Sequence, residues 1–99
     1  MIPHSIDRSL ISEPDGVARV IYLEIPRSQV VLFQAFFEHF EGLAVVRTLD
    51  ANKGLLCVIT TSTQLAACLD ALETLRPEVR WRQVRAETAE SSKEFLRTG

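Results

Sequence analysis

LAVVRTLDANKGLLCVITTS, Leu43 to Ser62, decides the fold. Two runs rich in β-branched and aliphatic residues, Leu43 to Asp50 and Gly54 to Ser62, flank Ala51, Asn52 and Lys53. Asp, Asn and Gly turn a chain tightly at little steric cost, so the stretch reads as an antiparallel hairpin. Helical patterns lie on both sides of it. Upstream, Val30, Phe33, Phe37 and Phe40 recur at helical spacing, Phe36 widens the stripe, and Gly42 supplies a stop. Downstream, Leu65, Cys68, Leu69, Leu72 and Leu75 form a second stripe that Pro77 closes. Ser28, and either Ser62 or Thr63, are placed to cap the two helices.

Outside this centre, ARVIYLEI, Ala18 to Ile25, has strand composition and ends at Pro26, and VRWRQVR, Val79 to Arg85, is a short last strand. The order β-α-β-β-α-β predicts an α+β fold of ferredoxin-like topology. Right-handed crossovers then give an antiparallel sheet in the order 4-1-3-2 with two helices on one face. Residues 1–16 read as a poorly ordered N-terminal arm, 17–85 as the domain, and 86–99 as a polar C-terminal tail with Phe95 and Leu96 as a weak docking point.

The 99 residues allow one modest core and no cleft between lobes. A formal charge of -2 gives no general attraction to nucleic acid or an anionic membrane. The first residues lack a secretory pattern, and no apolar run approaches the ~20 residues that span a bilayer. Cys57 and Cys68 lie in apolar segments without CxxC spacing, which predicts reduced, buried thiols and a cytoplasmic location.

Each strand carries apolar residues on both parities: Ile21, Leu23 and Ile25 against Val20 and Tyr22, and Leu55, Cys57 and Ile59 against Leu56 and Val58. A sheet with one wet face should alternate more cleanly. The pattern predicts a covered second face, most simply in a homodimer.

Candidate chemistry is sparse. His39 sits near a helix end beside Glu38 and Glu41 without a triad partner, and no His, Cys, Asp or Glu set has metal-ligand spacing. We therefore expect no catalytic residues, metal or cofactor. Arg27 and Ser28, with the amides of the first helix, could hold a small anion. Arg76, Arg80, Arg82 and Arg85 surround Trp81, but alternation puts Arg80 and Arg82 on one face and Trp81 on the other, which disfavours nucleic-acid binding. Arg47 and the strand-four arginines lie on opposite sheet edges, roughly 14 Å apart. Arg47 is either an ordinary edge charge or, with Asp50, part of a cross-subunit ion pair.

The stretch YLEIPRSQVVLFQAFFEHFEGLAVVRTLDANKGLLCVIT resembles a small bacterial family known only as domain of unknown function 4911. The resemblance rests on Glu41, Gly42, Val46, Arg47, Thr48, Leu49, Asp50 and Gly54, and extends from Arg19 to about Val84. The topology is also similar to that of ACT domains, regulatory modules that often bind amino acids at dimer interfaces. Together these imply a non-catalytic, ACT-like homodimer that senses a small anionic or amino-acid ligand or binds a protein. A structural assembly subunit without ligand is the alternative, and RNA binding or a small enzyme comes third.

Overall fold

The computed structural model describes residues 6–89. In chain order the main elements are β1 (Ala18–Glu24), α1 (Val30–Glu38), β2 (Val45–Asp50), β3 (Leu55–Thr61), α2 (Leu65–Leu75) and β4 (Arg82–Gln83), with 3-10 turns at Arg8–Leu10 and Arg27–Gln29. The strands form one antiparallel sheet in the order β2-β3-β1-β4, which is the expected 4-1-3-2 read from the other edge. Both helices cover one face, as in a ferredoxin-like sandwich.

Register explains the core. Ile21 lies opposite Val58 and Leu23 opposite Leu56, and these four pack on Phe33 and Phe37 of α1 and Leu69 and Leu72 of α2. Each such side chain removed from water contributes about 1.5–3 kcal/mol. Thr60, buried on the same face, donates its hydroxyl to the Leu43 carbonyl at 2.7 Å and also bonds Cys68. The structure thus ties β3 to the β2 entry and to α2.

The hairpin is built as its residues predict. Asp50 is buried, and its carboxylate accepts the N–H groups of Asn52 at 3.0 Å and Lys53 at 3.2 Å. Gly54 takes φ +66°, a left-handed conformation that favours glycine. The Gly54 carbonyl then accepts the N–H of Ile25 at 2.8 Å, which prolongs the β1–β3 ladder. A bulge between Thr48 and Asp50 sets the β2 register and places Arg47 opposite Cys57.

Helix starts differ from the expectation. Neither helix has a side-chain N-cap. Ser28 lies inside the 3-10 turn that precedes α1, and in place of Ser62 or Thr63 it is Thr61 whose hydroxyl accepts the Gln64 N–H at 3.2 Å. At its other end α1 stops at Glu38, so Phe40 falls beyond the last turn and is 43% exposed instead of completing the buried stripe.

Residues 6–16, expected as a poorly ordered arm, pack against the domain. Ile6 and Ile11 are buried in the main core, and Ser12 exchanges two backbone hydrogen bonds of 2.9 Å with Val20. The Gln83 amide clamps the Asp7 backbone, accepting its N–H at 2.7 Å and donating to its carbonyl at 3.0 Å. The Ser9 hydroxyl and N–H both donate to the Asp7 carboxylate, which holds that carboxyl below its ordinary value. The last strand is shorter than Val79 to Arg85. The Arg80 N–H goes to Gln29 and the Trp81 indole to Leu72, so pairing with β1 spans Arg82 and Gln83. Residues 86–89 form a helical turn with Ala89 buried. Phe95 and Leu96, the expected docking point of the tail, lie outside the described residues.

Candidate functional site

Arg27 follows β1 at one end of the sheet. Two remote segments are tied to this place. Gln29 donates its amide to the Glu78 carbonyl at 3.2 Å and accepts the Arg80 N–H at 2.8 Å, which fastens the approach to β4 onto the β1–α1 junction. The Ile25–Gly54 bond fastens the hairpin tip to the same junction. The three segments border an open recess of about 300 Å³ lined by Arg27, Lys53, Arg80 and Arg82, with one lining carboxylate, Glu24. That carboxylate accepts a hydrogen bond from Arg82. Ser28 is exposed and does not line the recess.

Topology brings these cations together. In this sheet the end of β1, the start of β3 and the start of β4 share one end, so Arg27, Lys53, Arg80 and Arg82 converge although they span more than half the chain. The convergence is at the strand ends and not at the sheet edges, so Arg47 on the β2 edge has no part in it.

Arg47 is exposed on the β2 edge. The face away from the helices carries Val45, Ile59 and Val20 in one row and Arg47, Cys57 and Tyr22 in the next. This face is drier than the two-sided strands suggest. Leu55 and Cys57 are already buried, because the central strand is flanked on both sides by large neighbours. Asp50 spends its carboxylate on the turn amides.

The larger apolar exposure is on α1. Val31 is 76% exposed and Leu32 46%. Leu32, Phe36 and Phe40 recur at four-residue spacing, and the Phe36 and Phe40 rings touch with centroids 5.0 Å apart. The strip runs into a groove of about 420 Å³ between the helices, lined by Leu43, Ala67 and Ala71 among others.

Trp81 belongs to the core. Its indole N–H donates to the Leu72 carbonyl at 2.7 Å, and the Arg76 guanidinium lies 3.8 Å from its ring centroid. Base stacking has no access to that ring. Neither cysteine is in a disulfide and both are buried, and burial pushes the Cys68 thiol up to about 11 against the smaller opposing effect of its bond with Thr60. In the native state an aromatic disulfide reagent at neutral pH should label Cys68 at least about a hundredfold more slowly than an exposed thiol, and both cysteines should react at once in denaturant. Rapid native labelling at Cys68, located by mass spectrometry, would contradict this placement. Among the described residues no three His, Cys, Asp or Glu side chains cluster as metal ligands, and no helix is long and apolar enough to cross a membrane.

The sheet order and the helical layer define an α+β domain of ferredoxin-like, ACT-like topology. Within that class the chain belongs to the family described as domain of unknown function (DUF4911), which matches residues 23–79. The match is shorter at both ends than the resemblance in sequence, and it contains the hairpin and both helices. No curated protein and no solved structure matches the chain.

Proposed function

We propose that this chain is a non-catalytic, ACT-like module that works as a homodimer in a regulatory or protein-interaction role, docking through the outer surface of α1. The observation that carries the reading is the uneven burial of that helix. Its sequence, VVLFQAFFE, is apolar around most of its circumference, yet the fold buries Phe33 and Phe37 and leaves Val31 and Leu32 open. A helix apolar on both sides normally has protein on both sides. The groove beside Phe36 and Phe40 continues the same surface, which suits an apolar helix laid across it by a second copy.

Light scattering tests it. The native chain is expected to be a dimer at micromolar concentration, and Leu32→Asp, at an exposed position, should give a monomer with unchanged far-UV circular dichroism. Arg47→Ala, on the β2 edge, should leave the dimer intact. A monomeric native chain at tens of micromolar would sink the reading. Dissociation by Arg47→Ala and not by Leu32→Asp would move the interface to the β2 edge.

A further inference from the structure

The recess at the sheet end stands apart from the α1 surface, and four cations and one carboxylate line it. Arg27, Lys53, Arg80 and Arg82 face one carboxylate, Glu24, which is already engaged by Arg82. Among the described residues, Arg27 and Arg80 make no side-chain hydrogen bond or ion pair. The chain as a whole carries a formal charge of -2, so these cations gather here against an acidic average. Their grouping is not an accident of loose loops. Gln29 ties the backbone at Glu78 and at Arg80 to the β1–α1 junction with one hydrogen bond each, across about fifty residues of chain, and the Gly54–Ile25 bond ties the backbone next to Lys53 to the same junction. Like charges held close repel one another, and a recess that collects them is stabilised when an anion fills it.

We propose that this recess binds a small, multiply charged anion of the phosphate type. Guanidinium forks match phosphate oxygens in pairs, and two or more of them around one concave site select a compact polyanion over a single carboxylate. A volume of about 300 Å³ has room for a pyrophosphate group. The binding requires nothing of the α1 surface, so it stands whether or not the chain dimerises.

The test is calorimetric titration of the full chain with inorganic pyrophosphate, with malonate as a carboxylate comparison and potassium chloride matching the ionic strength. Saturable pyrophosphate binding is expected, stronger than that of malonate and absent with chloride alone. Arg27→Gln with Arg80→Gln should weaken it by about tenfold or more, the scale of one or two charge-assisted bonds. Arg8→Gln, in the N-terminal turn, should not change it. Both positions in the double variant are exposed, so circular dichroism should confirm an intact fold. No saturable binding of pyrophosphate, or binding of equal strength in the double variant, overturns the proposal. Malonate binding more tightly than pyrophosphate overturns the assignment to phosphate chemistry.

Discussion

Gly54→Ala is expected to cost about 4 kcal/mol of folding stability, a large share of the 5–15 kcal/mol typical of a domain. Two costs act together. At φ +66° an added Cβ is strained by about 1–2 kcal/mol wherever it occurs. Here it would also run into the Ile25 carbonyl, overlapping its oxygen and lying 3.1 Å from its carbon. Backbone cannot swing aside as a side-chain tip can, so relief must come from separating β1 and the hairpin, which stretches the Ile25–Gly54 bond as well. Gly42 provides the comparison. Its φ is +79°, but an added Cβ would meet open space, so Gly42→Ala should cost only the 1–2 kcal/mol conformational share. The midpoints of guanidinium unfolding at equal slope measure both. Equal losses at the two glycines would show that the Ile25 contact contributes nothing.

The same contrast marks what sequence could and could not reveal. Asp50, Asn52 and Gly54 announce a turn because the chemistry that makes it is local, and the hairpin between two helical stripes fixes the topology. The bulge after Thr48 is not local chemistry. It depends on how β3 meets β2, and it decides that Arg47 sits beside Cys57. Ile6 and Ile11 were illegible for a related reason. Isolated aliphatics among polar residues have no period, and only a finished sheet edge gives them somewhere to pack. The caps misled in the opposite way. Ser28 and Ser62 have the right chemistry for a helix start, but the 3-10 turn after Pro26 and the Thr61–Gln64 bond satisfy the chain differently.

The candidate site was half legible. Arg27 stands out at a β–α junction, and strand order alone implies that the hairpin tip and the approach to β4 lie at the same end. What sequence does not disclose is Gln29. A glutamine in an amphipathic helix start looks like an ordinary polar residue, yet its amide is what joins residues 78 and 80 to the junction. Side-chain bonds over such separations leave no periodic trace. They also explain why Ser28, adjacent in sequence, plays no part in the recess while Arg80 does.

Trp81→Ala is expected to be the other severe substitution, at about 3–5 kcal/mol, the usual range for a large aromatic removed from a core. The 3% exposure of Trp81 leaves the full cavity cost, since α2 and the sheet hold the surrounding side chains apart. Its indole also anchors an otherwise weak edge. β4 has two paired residues, and the bond from Trp81 to Leu72 ties the chain just before them to α2. Trp81→Phe keeps most of the volume and loses that bond, so its cost should be about 1–2 kcal/mol. Circular dichroism in a denaturant titration follows all three forms, because each variant removes the chain's one tryptophan and its fluorescence. A stacking residue on a nucleic-acid surface would behave differently: its removal would leave stability within about 0.5 kcal/mol of the native chain. A small effect of Trp81→Ala would therefore reopen the basic stripe as a binding surface, and a large one makes Trp81 the pin that holds β4 and the arm clamped by Gln83 to the rest of the fold.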